Sequence, residues 1–132
     1  MRIYVSGPMT GFPNQNREAF SAAAAKLRSQ GHFAINPHDL TNIFGTPEEI
    51  AEAFAAAYME PKSFASIENY DAHCRKLMLA KSVMAADLAA VRSCDAIYLL
   101  RGWEKSRGVK KELTEAGMCG LKVFLEKEPE RP

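Results

Sequence analysis

Short apolar runs alternate with helical segments along this chain, and that alternation restricts its fold more than any other feature. Arg2 to Ser6 (R-I-Y-V-S) is partly β-branched and stops at Gly7-Pro8, the pattern of a buried strand opening into a loop. From about Asn16 an Ala-rich stretch sets Phe20, Ala23, Ala24 and Leu27 on one helical face, and Gly31 ends it. His32 to Asn36 predicts a second strand, stopped by Pro37, because proline cannot donate to a ladder. Cys94 to Leu100 (C-D-A-I-Y-L-L) is the clearest buried strand. A helix with Val109, Leu113 and Ala116 as its core stripe follows, ended by Gly117 or Gly120, and Leu121 to Leu125 makes a last strand. Each crossover between parallel strands must bury its helix on a sheet face. The expectation is therefore an α/β fold: a small Rossmann-like or flavodoxin-like three-layer sandwich with a mostly parallel four- to five-stranded sheet. With 132 residues, a single domain is expected.

The middle of the chain is long for a crossover. Thr46-Pro47-Glu48-Glu49 predicts a helix start, with a Thr cap, proline at the first helical position and a Glu that can reach back to the cap. Ile50, Phe54 and Tyr58 follow as an apolar stripe, and Pro61 closes the helix. Another begins near Asp71 with Leu77, Met84, Leu88 and Val91 on one face. Residues from about 40 to 70 are expected to form a helical cap over the site, and 126–132 a charged tail.

Charge and composition exclude several functions. Seventeen basic against sixteen acidic residues leave +1, so no net field draws the protein to a nucleic-acid polymer or an anionic membrane, and any anion must be held locally. No stretch approaches the ~20 apolar residues of a membrane span, and Ile3 to Val5 is too short for a signal-peptide core, so a cytoplasmic location is expected. Cys74, Cys94 and Cys119 lack a C-x-x-C pair and are read as reduced and buried. His32, His38 and His73 lack metal-ligand spacing, and no metal or cofactor is predicted.

In open parallel sheets ligands bind beyond the carboxyl ends of the strands, here the loops after Ser6, Asn36 and Leu100. Gly7-x-x-x-Gly11 could bring backbone N–H groups to an anion, or could be ordinary turn chemistry; it lacks the G-x-G-x-x-G of a dinucleotide fold. The loop Arg101 to Gly108 runs into the helix carrying Glu112. Ser106 reads as its N-cap, and Gly108 exposes first-turn amides that suit a phosphate, although spacing alone favours a capped helix with a solvated Glu. Trp103 could stack on a base or merely cover the loop.

Taken together, Ile3 to Gly11 (I-Y-V-S-G-P-M-T-G), Asn36-Pro37, Asp87, Cys94-Asp95-Ala96-Ile97 and Ser106-x-Gly108-x-x-x-Glu112-Leu113 resemble the nucleoside 2-deoxyribosyltransferase superfamily. That superfamily includes the 2'-deoxynucleoside 5'-monophosphate N-glycosidases and a branch of small, mostly uncharacterised bacterial and phage proteins, to which this chain is most similar. The resemblance spans about residues 2 to 125, weakly over 40 to 70. It implies hydrolysis of the N-glycosidic bond of a (deoxy)nucleoside 5'-monophosphate, with transfer to a second base or a non-catalytic nucleotide-binding role as alternatives.

Residue roles follow from the same resemblance. Glu112 is implied as the nucleophile at the anomeric carbon, kept ionised in the first half of its helix, and Asp87 as the acid that helps the base leave. Tyr4 is implied to position Glu112 or the sugar. The substrate contacts are expected from Ser6, Gly7, Met9, Thr10, Gly11, Trp103, Ser106 and Gly108, with the 5'-phosphate between Ser106/Gly108 and Thr10/Gly11. From the residues alone, Tyr4 could simply pack in its strand and Asp87 could cap a loop; Asp95 is read as structural. The small-molecule partner is thus a nucleotide or nucleoside. A homodimer or larger assembly is expected, to cover the Ile50, Phe54 and Tyr58 stripe.

Overall fold

A computed structural model describes residues 1–58 and 66–127. The four strands β1 (Arg2–Ser6), β2 (Phe33–Ile35), β3 (Ala96–Leu99) and β4 (Lys122–Leu125) form one sheet in the order β2-β1-β3-β4, every neighbouring pair parallel. The helices are α1 (Arg17–Ser29), α2 (Pro37–Thr41), α3 (Pro47–Ala57), α4 (Ile67–Arg92) and α5 (Arg107–Met118). This is the Rossmann-like α/β sandwich expected, with four strands, all parallel, among the described residues. None of the described helices is long and apolar enough to cross a membrane.

Period-two alternation sorts the sheet into two cores. Ile3 and Val5 of β1, with Ala96, Tyr98 and Leu100, turn toward Phe20, Ala23, Ala24 and Leu27 of α1. Tyr4 of β1, with Ile97 and Leu99 of β3, turns the other way and packs on Val91 of α4 and Val109 and Ala116 of α5. The strands inside the sheet are buried on both faces, which is why they read as unbroken apolar runs. The edge strand β4 is exposed along its length.

Local signals fixed most element ends. Thr46 and Glu49 make a reciprocal capping box at the start of α3. Gly31 and Gly120 follow α1 and α5 at φ of +88° and +72°, a left-handed conformation that L side chains rarely adopt, so Gly120 rather than Gly117 marks the end of α5. Four expectations need correction. The second strand is three residues long, and Pro37 not only stops it but opens α2, where Asn36 caps by accepting from the His38 N–H at 3.0 Å. The long helix begins at Ile67, capped by Ser66, instead of near Asp71. Its buried face is Ala80, Val83, Asp87 and Val91, while Leu77, Met84 and Leu88 are only half-buried. Cys94 is buried as expected, but Cys74 is half-buried and Cys119 exposed. The expected closure at Pro61 and the tail from 128 onward lie outside the described residues.

Candidate active site

The switch in strand order between β1 and β3 opens a crevice at the carboxyl ends of these strands, and α5, following β3, runs along it. Glu112 lies on the buried face of α5, one turn beyond its N-terminal loop, and its carboxylate is anchored to β1. The Tyr4 hydroxyl donates to its Oε2 at 2.5 Å and the Ser6 hydroxyl to its Oε1 at 2.8 Å. Both donors follow from the strand pattern: Tyr4 and Ser6 are two residues apart, hence on the same face of β1. The Tyr4 phenol is wholly buried and beside two carboxyl groups, so it resists ionisation well above the usual value and stays a donor.

Asp87 faces the same cavity from α4, and its surroundings differ. It is 7% exposed, as is Glu112, yet its Oδ1 is buried with no hydrogen-bond partner among the described residues. Desolvation, then the neighbouring Glu112 charge, pushes its pKa up to about 8. Burial also raises Glu112, to about 7, against the pull of the Tyr4 and Ser6 hydroxyls. Burial thus works against the ionised form that the helix position was expected to favour, and the two hydroxyl donors work for it. The two carboxyl groups thus sit in unequal environments: both are raised by burial, and Glu112 alone accepts hydrogen bonds on both of its oxygens.

The cavity between them has an inner part of about 110 Å³ and adjoins a wider outer cleft. Gly7, Met9, Thr10, Ser106 and Gly108 line the inner cavity with Asp87 and Glu112. Thr10, Gly11, Ser106 and Gly108 line the outer cleft together with the cations Lys105 and Arg107. The loop after β1 and the start of α5 are thus brought together, as the sequence suggested. Gly7, which lines the cavity as expected, is also demanded by packing, because a Cβ there would stand 2.7 Å from the Leu100 side chain. Two contacts differ from expectation. Ser6 holds Glu112 and does not line the cavity. Trp103 lines neither space; its side chain packs against the core around Ile97 and Val109, the covering role of the two it could have played. Ser106 caps α5, its hydroxyl accepting from the Val109 N–H at 3.3 Å.

Sequence reading missed the opposite wall. Arg17, His38, Thr41 and Asn42 line the inner cavity. His38 carries the clearest structural role: its Nε2 meets the Gln15 carbonyl at 3.0 Å and its ring stands edge-on to Phe20, 4.8 Å between centroids. Burial, with the nearby Arg17 cation, lowers its pKa. Ile50, Phe54 and Tyr58 were legible as a stripe, but they face the cavity, half-buried, so the stripe supplies no argument for a partner subunit. Tyr58 closes the rim: it stacks on Phe54, and the Arg107 and Lys111 cations of α5 lie 5.1 and 5.5 Å from its ring centre.

A family model described as "Domain of unknown function (DUF4406)" matches residues 1–125. Among solved structures, the chain is similar to a 2-deoxyribosyltransferase from the psychrotolerant bacterium Bacillus psychrosaccharolyticus, at 19% identity and a TM-score of 0.56, covering 95% of this chain and 71% of that one. At that identity the likeness establishes a shared fold. No curated protein matches the sequence.

Proposed function

The chain belongs to the DUF4406 family, whose description assigns no activity, and from the chemistry of its cavity we propose that it cleaves the N-glycosidic bond of a (deoxy)nucleoside 5'-monophosphate. The observation that carries this reading is the buried pair of unlike carboxyl groups: Glu112 held on both oxygens by hydroxyl donors, and Asp87 lining the same cavity with an oxygen that meets no donor among the described residues. A retaining glycosidic mechanism needs this division of labour. The Glu112 carboxylate forms a bond to the anomeric carbon C1' as the C1'–N bond breaks, and the bonding pair leaves with the base. Asp87 supplies the proton that the base nitrogen takes up. Water then attacks C1', Glu112 departs as carboxylate, and the water's proton restores Asp87.

Tyr4 and Ser6 are positioning residues here, because each touches Glu112 and fixes the direction of its lone pairs. The 5'-phosphate is assigned to the outer cleft, where Ser106 and Gly108 open α5 and Lys105 and Arg107 add positive charge opposite Thr10 and Gly11. Glu112 lies one helical turn from Gly108, about 6 Å along the axis, which matches the span of a nucleotide from phosphate to C1'. The structural likeness to a 2-deoxyribosyltransferase favours a second acceptor, a free base in place of water, for the same covalent intermediate.

The test is direct. Purified protein given each deoxynucleoside monophosphate, with and without an acceptor base, should release free base; new nucleotide formed with the acceptor identifies transfer. The nucleoside lacking its phosphate should bind about 100-fold more weakly, the loss of ~3 kcal/mol of charge-assisted hydrogen bonds. Release of no base from any substrate would overturn the reading, and equal affinity for nucleoside and monophosphate would remove the phosphate site.

A further inference from the structure

One charged group on the cavity wall is unused by that reaction. Arg17, the first residue of α1, lines the inner cavity with Asp87 and Glu112. Its Nε is buried without a hydrogen-bond partner, and neither of the ion pairs found among the described residues involves it. A guanidinium offers five donors, keeps its charge and accepts nothing, so a buried unmet donor facing a cavity is a group awaiting an acceptor.

Strand order says which part of a substrate meets it. The start of α5 follows β3, whereas the start of α1 is tied to α2, which follows β2, through the His38–Gln15 bond and the His38–Phe20 contact. β1 lies between β2 and β3, and Glu112 is fixed to β1. A ligand with its phosphate at the start of α5 and its C1' at Glu112 therefore extends its base toward the β2 side, where Arg17 waits. Among its polar neighbours there, Thr41 has its hydroxyl committed to the Pro37 carbonyl at 2.8 Å and His38 its Nε2 to the Gln15 carbonyl, while Arg17 carries the wall's fixed charge.

We propose that Arg17 determines leaving-group specificity, its guanidinium taking the carbonyl edge of a 6-oxopurine base in preference to a 6-aminopurine. A 6-oxopurine presents two adjacent acceptors, O6 and N7, that match the donor fork; a 6-aminopurine presents one acceptor and an opposing donor. When the C1'–N bond breaks, its electron pair stays on the base and spreads to the carbonyl oxygen, where the cation stabilises it. The orientation rests on the function proposed above, but the preference can be read without turnover.

The experiment compares deoxyguanosine and deoxyadenosine 5'-monophosphates on wild type and Arg17→Met. Wild type should favour the guanine nucleotide in kcat/KM by about tenfold or more, the worth of one bidentate pair, and Arg17→Met should bring the ratio near one by losing activity on guanine. An equal loss on both bases, or an unchanged ratio, overturns the proposal. Arg17→Lys keeps the charge without the fork and should give an intermediate ratio; it decides the matter if circular dichroism shows the Met variant unfolded, an unchanged ratio again counting against. If wild type releases neither base, the glycosidic reading fails, and calorimetric Kd values for the same two nucleotides judge Arg17 alone: a tenfold preference lost in Arg17→Met supports it, and equal affinities overturn it.

Discussion

The two walls of the cavity treat the same chemical group in opposite ways. On the β1–α5 side, Glu112 accepts from two hydroxyls; on the α4 side, Asp87 is equally buried and one of its oxygens meets no donor among the described residues. Two carboxyl groups alike in burial thus differ in the hydrogen bonds each receives, and the proposed reaction gives them different roles on that ground. Desolvation raises both, to about 7 for Glu112 and about 8 for Asp87; the Tyr4 and Ser6 hydroxyls oppose the rise at Glu112, and the Glu112 charge adds to it at Asp87.

Breaking the contrast at Glu112 should have the largest effect. Glu112→Gln keeps the side chain's size but removes nucleophile and charge, so base release should fall by roughly 10⁴-fold while nucleotide affinity changes less than about threefold. Chromatography of released base and calorimetry on the same protein check both halves. Retention of activity would end the assignment.

Asp87→Asn should slow release by about 10²–10³-fold, most for bases that must be protonated to leave. It should also stabilise the fold at alkaline pH. Both carboxyl groups have folded pKa values above their ordinary 3.8 and 4.5, so between about pH 4 and pH 8 the native state binds more protons than the unfolded chain, and stability falls as pH rises through that window. Asparagine removes Asp87's share. The variant's melting temperature should exceed wild type's at pH 9 by the equivalent of a few kcal/mol, each pKa unit being worth ~1.4 kcal/mol, and the gap should close near pH 4. A gap independent of pH would show that Asp87 is not protonated by its environment.

Tyr4→Phe sharpens the comparison by making Glu112 more like Asp87. With one donor gone, the acidic limb of the rate profile should move to higher pH, the rate at neutrality should drop about tenfold, and stability should fall by ~1–2 kcal/mol. An unmoved pH profile would mean Ser6 alone sets the carboxylate's state. The smallest effect belongs to Thr46→Ala, which removes the hydroxyl that accepts from the Glu49 N–H at the start of α3: about 1 kcal/mol of stability in chemical denaturation, with base release changed less than about twofold.

The legibility of these features varied for physical reasons. The capping box at Thr46 and Glu49 and the left-handed Gly31 could be read because the residues that satisfy each end are within four positions of one another. Asp87 could not be placed by periodicity. A polar residue inside the apolar face of a helix breaks the pattern used to find that face, so of the stripe expected on Leu77, Met84, Leu88 and Val91 only Val91 belongs to the buried face. Pro37 was legible as a stop and missed as a start, since its fixed φ serves both.

What the sequence determined by itself was local and periodic: which segments become strands or helices, where they are capped, and that alternating elements must build a parallel sheet with a crevice at its carboxyl ends. Only the tertiary structure decided which groups meet in that crevice. Tyr4 and Glu112 are 108 residues apart, and their hydrogen bond exists because the strand order sets β1 beside β3 and thereby lays α5 across β1. Arg17 and Trp103 show the same limit from opposite sides: an exposed-looking Arg at a helix start lines the cavity, and an aromatic beside the site turns into the core. Propensity and patterning act over a few residues, whereas burial, desolvation and unmet hydrogen bonds depend on neighbours that only the folded chain supplies.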